Sequence, residues 1–426
     1  MRLLKITILT AFIAFSAACL WLSANKNAPV KNHHAQTLRK ATAENVKGDF
    51  ERENRFEFVG VRAEMSQKGT DFFISFETPN QKETYTIEAV VGTEKLEEYI
   101  ARKDGKLVRL PIAYDLKVKS WINLNTTFFE TDGADFFKYQ TDWETNCASC
   151  HLENSAQNIP TNCAACHSKN LHESETDAIQ LSSREHQGIL RSVCFVKNKG
   201  GEVINCLSCH SSENNKAPTQ QSCINCHQQF SAPEAVAQHT KHQTDSANCF
   251  SCHQPEIVYG HLEFQKTHEI SIPKPELTAL KAVPNACNLC HTDKSVNWAI
   301  TNTKTLWTEH FRDAEISNDP QFDEAEGIRA LFAGDAFTRA LAADTLTKRS
   351  APEWFTPFAL EAFEDENYPI VRYFLTNALG KNPNPSTRET LDQQFPISNL
   401  NQTNRIKAAA QKLRSNRKSP DIQISD

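Results

Sequence analysis

The sequence predicts an α+β chain in three blocks: a small β-rich segment, a region of loops and short helices, and a block of helical repeats. Three observations predict this. Between residues 25 and 141, short β-branched and aromatic runs alternate with polar turns. Between 142 and 306, cysteine and histidine concentrate while Asn, Ser, Gln and Thr replace apolar residues. From about Trp307 onward, arginines recur 33 residues apart in Ala- and Leu-rich stretches.

In the first block the runs Phe56–Val61, Asp71–Phe76, Thr84–Val91 and Leu107–Tyr114 read as strands of a small antiparallel sheet, because each is bounded by Gly, Asn or Lys turns. In the last block, residues 307–415, Arg339, Arg372 and Arg405 recur within Thr338–Leu346, Val371–Leu379 and Arg405–Leu413. Periods of this length mark stacked helical hairpins, which commonly bind partners. Lys412, Arg414, Arg417 and Lys418 are expected to form a solvated helix end, with a docking patch for an acidic partner as the alternative; residues 416–426 are a polar tail.

The middle block is too polar to bury an ordinary core, and hydrophobic residues make up only 39% of the 426-residue chain. It holds six Cys-x-x-Cys-His motifs: Cys147/Cys150/His151, Cys163/Cys166/His167, Cys206/Cys209/His210, Cys223/Cys226/His227, Cys249/Cys252/His253 and Cys287/Cys290/His291. Each is an attachment site for haem c, in which two thioethers fix the porphyrin and the histidine ligates the iron. Zinc ribbons and disulfide frameworks are the rivals, but neither needs a histidine after every second cysteine. Residues 142–306 are therefore expected to form a hexahaem cytochrome c domain whose missing apolar bulk is six covalent haems. The spacing pairs Cys147 with Cys163 and Cys206 with Cys223, leaving Cys249 and Cys287 apart.

Nine histidines lie outside the motifs, against two methionines. Bis-histidine ligation at low potential is therefore expected. The distal candidates are His186, His239, His242 and His268, followed by His172, His33 and His34; His261 and His310 are the weakest. Cys194 reads as an inert buried thiol or, alternatively, a redox-active one.

Residues 1–24 carry Arg2 and Lys5 ahead of the apolar run Ile6–Leu22, the layout of a secretory signal peptide or of an uncleaved membrane anchor. Ser16-Ala17-Ala18-Cys19 approximates a lipidation site, although serine stands where leucine is usual. A formal charge of -6 without a basic stripe argues against nucleic acid as a partner.

With these motifs the chain resembles multihaem c-type cytochromes that carry doubled CxxCH motifs and a HEAT- or tetratricopeptide-like helical tail, related to nitrite reductase and hydroxylamine oxidoreductase. The resemblance runs from about Asn32 to Trp307, through Asn32–Thr37 and Gly48-Asp49-Phe50, Cys147–His151, Ala237–His242, Thr267–Pro275 and Pro284–His291. Asp365–Arg372 resembles the second helix of a HEAT repeat. Larger members carry a further motif before the segment matching His33-His34 and another between the positions matching His167 and Cys206. Both are absent here, so the catalytic haem of distant relatives is not implied. The resemblance implies a periplasmic or otherwise extracytoplasmic location, where thioethers are made, and redox partner proteins.

The expected function is electron transfer through a chain of haems. The alternatives are an oxidoreductase acting on a nitrogen or sulfur oxyanion at an open haem, and a haem-containing scaffold that recruits a redox partner. No catalytic residue is assigned from the sequence.

The motif count predicts six covalent haems per chain. Intact mass of protein matured with a cytochrome c assembly system checks it, and a homogeneous product with four or fewer haems would refute it.

Overall fold

The computed structural model describes residues 38–51, 54–58, 60–92, 94–147, 185–196, 206–210, 218–243, 246–311, 313–348, 355–380 and 400–417, with short pieces at 173–174, 180–181, 204 and 424–425. The signal or anchor segment, His33, His34, His172, Cys150, His151, Cys163, Cys166 and His167 lie outside them. Among the described residues, no helix is long and apolar enough to cross a membrane.

The chain is α+β. Its N-terminal block is a nine-stranded sheet of β1 (Leu38–Lys40), β2 (Asn54–Phe58), β3 (Val61–Lys68), β4 (Asp71–Glu77), β5 (Lys82–Val91), β6 (Leu96–Lys103), β7 (Lys106–Asp115), β8 (Ser120–Asn123) and β9 (Thr141–Asp142). Strands β2 to β8 pair in sequence order as an antiparallel meander, with β1 added on β5 and β9 on β7. Phe56 of β2 and Trp121 of β8 share one core cluster with Met65, Ile74, Phe76, Tyr99 and Ile112, so the sheet curls round its own inner face. Register shifts beside Ala89 and Ile100 provide the bends.

Two strands differ from the sequence expectation. The run Phe56–Val61 is split by a turn at Gly60, whose φ is 77°, and β3 continues to Lys68 with Val61, Ala63 and Met65 facing the core between polar neighbours. Strand β6 escaped notice because it carries Glu97 and Glu98. Glu97 is fully buried, accepting hydrogen bonds from the backbone N–H of Lys47 and Gly48 and from the Tyr99 hydroxyl, with Arg39 3.7 Å away. A buried carboxylate with several donors is tolerable where an unpaired one is not. Gly48 is required there, because a Cβ would meet the Tyr99 hydroxyl at 2.1 Å.

The middle block contains α1 (Trp143–Asn146), α2 (Glu185–Arg191), α3 (Val193–Val196), α4 (Gln220–Ile224), α5 (Pro233–Thr240), α6 (Cys249–His253) and α7 (Glu276–Lys281). It also has β10 (Glu173–Ser174), β11 (Gln180–Leu181), β12 (Glu256–Gly260) and β13 (Glu263–Lys266); β11 runs parallel to β12, β12 and β13 form a hairpin, and β10 pairs with β14 (Ile424–Ser425). The helices that follow are α8 (Val296–Leu306), α9 (Thr308–Phe311), α10 (Glu326–Ala333), α11 (Ala336–Lys348), α12 (Phe355–Glu364), α13 (Pro369–Ala378) and α14 (Leu400–Arg414).

The lack of haem motifs beyond His291 suggests that the helical block could be removed near residues 309–319. The packing is different. One core cluster unites Leu96, Ala113, Ile122 and Phe129 of the sheet block with Tyr259 and Phe264 of the β12–β13 hairpin and with Phe332, Phe337, Leu360 and Phe374 of the helices. Polar contacts cross the same boundary: Tyr373 donates to Asp115 at 2.9 Å, Tyr259 to the Thr127 carbonyl at 2.7 Å, and Arg372 pairs with Asp132. Lys348 reaches Glu256 at 2.8 Å.

The recurrent arginines do unequal work. Arg339 is buried and forks onto both oxygens of Glu366 at 2.7 and 3.0 Å, with its third nitrogen on the Gly334 carbonyl. Arg372 turns toward Asp132, and Arg405 is exposed. The basic end of α14 is not simply solvated: Arg414 reaches Glu361 and Asp365 and covers the Phe332 ring, while Arg417 donates to the Phe332 carbonyl.

Breaking a buried ion pair leaves one charge without a partner. Glu366→Ala should therefore lower stability by about 3–5 kcal/mol, whereas the paired replacement Arg339→Met/Glu366→Leu should cost far less. Urea unfolding of the two variants, followed by tryptophan fluorescence, checks the difference.

Candidate haem-binding site

Four of the six motifs are described in full, and each is one helical turn. The histidine N–H donates to the first cysteine carbonyl at 2.9 Å in Cys206–His210, Cys223–His227 and Cys287–His291, and Cys249–His253 is the helix α6. An i to i+4 bond puts the first cysteine and the histidine on one face, with the second cysteine beside them. Asn248 and Ser251 cap α6 reciprocally. The Cys287 turn is held by Asn285, whose side-chain Oδ1 accepts from Asn288 N–H, and by the Asn288 side-chain amide, which donates to the carbonyls of His291 and Lys294.

These turns line a single cavity of about 2360 Å³, more than twice the upper end of the roughly 300–1,000 Å³ usual for one small-molecule site. His186, His227, His239, His242 and His268 line it as well.

Inside it, histidines meet in twos. His210 faces His268 with ring centres 6.2 Å apart and planes 16° from parallel; His253 faces His239 at 6.1 Å and 13°; His291 faces His242 at 6.1 Å and 31°. Every pair joins one motif histidine to one outside the motifs. An imidazole nitrogen lies about 2.0–2.1 Å from a bound metal and the ring centre about 1.1 Å further, so two imidazoles on opposite sides of one ion stand about 6.3 Å apart. The three pairs have that separation. His268, His239 and His242 are thus where distal ligands would be; His186 lines the cavity without a described ring partner. His261 is exposed on the β12–β13 turn, and His310 lies near His239.

Two of these rings are tied to backbone. His253 Nδ1 lies 2.8 Å from the Ser271 carbonyl and His242 Nδ1 2.6 Å from the Thr240 carbonyl, which leaves Nε2 of each as the nitrogen able to ligate a metal. Such a bond sets the tautomer and raises ligand basicity. Burial, together with nearby His253, lowers the pKa of His239 and keeps the imidazole neutral, the form that ligates a metal.

Four further residues shape the site, and sequence patterning did not select them. A Cβ on Gly188 would lie 3.0 Å from the His268 carbonyl carbon and from Glu269 N, so any larger residue would push the His268 segment away from α2 by a few tenths of an ångström. Ser192 donates to the His268 carbonyl and accepts from Ile270 N–H. Trp298 lies against the His291 ring with centres 5.0 Å apart, and Trp307 donates to the His239 carbonyl at 2.7 Å. A helix glycine near a candidate ligand, and tryptophans following the last motif, were the available signals.

Thiols of successive motifs also approach one another. Cys209 stands near Cys226, Cys223 donates to Cys249, and Cys252 lies near Cys290. That hydrogen bond lowers the thiol pKa of Cys249 and raises that of Cys223, whereas burial pushes the Cys287 thiol up to about 12. The motifs at Cys249 and Cys287, which stand alone in sequence spacing, have neighbours in the fold: Cys249 meets Cys223, and Cys252 lies near Cys290. Half-buried Cys194, its thiol pKa raised by burial, is near Cys226. Cys147 packs with Leu38, Val91 and Trp143 at the edge of the sheet.

No protein-family model matches the chain, and no curated protein or solved structure shows significant similarity to it.

If these pairs hold haem irons, His268→Ala, His239→Ala and His242→Ala would each convert one iron from six-coordinate low-spin to high-spin while all thioethers still form. Electron paramagnetic resonance of the oxidised variants, with haem counted by mass, checks this one position at a time.

Proposed function

We propose that this chain is an extracytoplasmic multihaem c-type cytochrome that passes electrons along a row of bis-histidine haems. The observation that carries this is the meeting of His210 with His268, His253 with His239, and His291 with His242 at 6.1–6.2 Å inside one cavity. The histidines of a zinc ribbon would instead gather with cysteines into tetrahedral sets. Among the described residues no group of three or more metal-ligating side chains is assembled.

In this reading Cys206/Cys209, Cys223/Cys226, Cys249/Cys252 and Cys287/Cys290 hold four haems, with His210, His227, His253 and His291 as proximal ligands. The motifs at Cys147 and Cys163 hold two more. Bound haem supplies a one-electron couple, placed at low potential by two imidazoles rather than an imidazole and a thioether. The chain's own residues fix ring orientation through the Ser271 and Thr240 carbonyls and pack the attachment turns side by side. The contact of Cys223 with Cys249 puts two attachment edges together, which favours transfer between neighbours.

Redox partner proteins donate and accept the electrons. Helices α10 to α14 are read as HEAT-like hairpins on the strength of the 33-residue arginine recurrence; they contribute to the shared core, and a redox partner would dock on their outer faces. The N-terminal run delivers the chain across the membrane or tethers it there.

Carbon monoxide added to the dithionite-reduced protein tests electron transfer against catalysis at an open haem. Electron transfer predicts rapid binding at fewer than one haem in six, together with reversible redox titration of the whole set. Rapid, stoichiometric binding at two or more haems would support the oxidoreductase alternative.

A further inference from the structure

His239 and His242 are three residues apart, yet they face different partners, His253 and His291. His239 belongs to the last turn of α5. If the helix continued, residues at i and i+3 would lie on one face, and both rings would address the same place. The chain instead turns left-handed at Lys241, with φ 57° and ψ 24°, and His242 leaves in another direction. Lysine gains nothing sterically in that conformation, which glycine and asparagine adopt far more readily. Its side chain is exposed.

The bend is secured on both sides. Trp307 donates to the carbonyl of His239 at 2.7 Å. The Thr240 hydroxyl accepts from His242 N–H at 3.2 Å, and the Thr240 carbonyl lies 2.6 Å from His242 Nδ1. Thr240 itself is buried. A non-glycine residue in the left-handed region, held by three hydrogen bonds between two ring pairs, is backbone strain located where it sets geometry.

We infer that Lys241 is a positioning residue whose left-handed backbone directs two distal histidines onto two different irons, so that the Cys249/Cys252 and Cys287/Cys290 haems are ligated as a unit. This rests on the haem reading above. It adds that the two sites share one mechanical element, and that a change of backbone at position 241 opens both together, whereas loss of either histidine opens one.

The test is a series at one position in the full, matured chain: Lys241→Gly, Lys241→Asn, Lys241→Ala and Lys241→Val. Haem count is read by mass, the low-spin fraction by electron paramagnetic resonance, and open sites by carbon monoxide binding to reduced protein. Gly and Asn should keep the wild-type low-spin spectrum. Ala, which carries the same Cβ as lysine, should keep it too, whereas Val, whose β-branch is costly at a positive φ, should bring carbon monoxide binding toward two sites per chain with all six haems still attached. Should Val yield no mature protein, Lys241→Thr, β-branched but polar at this exposed position, carries the test in its place. Equal, wild-type spectra across the series would overturn the inference while leaving the haem reading intact. Loss of low-spin signal in Lys241→Gly would also overturn it, since the lysine side chain rather than the backbone would then be responsible. Wild-type protein that carries no covalent haem would overturn both.

Discussion

Two imidazoles facing each other across about 6 Å are the constraint on which the centre of this molecule depends. Rings at that distance are within the range of aromatic contact, and two imidazoles on opposite sides of one metal ion would stand about as far apart. To build three such pairs the chain must bring together segments distant in sequence: His268 to His210, His239 to His253 and His242 to His291. Much around them serves this end. Gly188 lets α2 approach the His268 segment, Ser192 ties that segment down, and Trp298 and Trp307 brace the His291 and His239 positions.

The rest of the molecule compensates for what the middle block lacks. Its polar composition cannot close a core unaided, and the described portion leaves a cavity of about 2360 Å³ where a domain of this size would ordinarily be solid. Large apolar side chains are concentrated instead in the curled sheet and in the helical hairpins, which meet across the β12–β13 hairpin. The turn of that hairpin puts His261 and Leu262 at φ 52° and 62°, which a two-residue connection of this hand requires, and so buries Leu262 in the common core. Sheet and helices thus share one continuous core beside the histidine-lined region.

Buried charge is used sparingly and always with partners. Glu97 gathers the Lys47–Gly48 turn against the sheet, and the Arg339–Glu366 fork locks α11 to the residues preceding α13. Such pairs contribute less to net stability than to register, since an apolar replacement of similar volume often does as well. Here they specify which loop meets which strand.

The sequence of blocks, and the motifs on which the haem proposal rests, were legible in the sequence alone. The six CxxCH motifs are readable because two thiols and a histidine are local, within a few residues of one another. The β-runs and the arginine recurrence were visible because alternation and repeat length are also local properties. Strand β6 was not, since a carboxylate at a core position looks like solvent exposure until Lys47, Gly48 and Tyr99 are brought to it. The partners of the histidines were likewise out of reach: His239 and His242 looked equivalent, and only the left-handed bend at Lys241 separates them. Spacing left Cys249 and Cys287 without a paired motif and said nothing of their neighbours, which folding supplies by setting Cys249 against Cys223 and Cys252 near Cys290. Which ring faces which, and whether the helices detach or share the core, depends on contacts between residues far apart in the chain. Those are decided by tertiary packing, because no local pattern encodes the distance between two segments that meet only when the chain is folded.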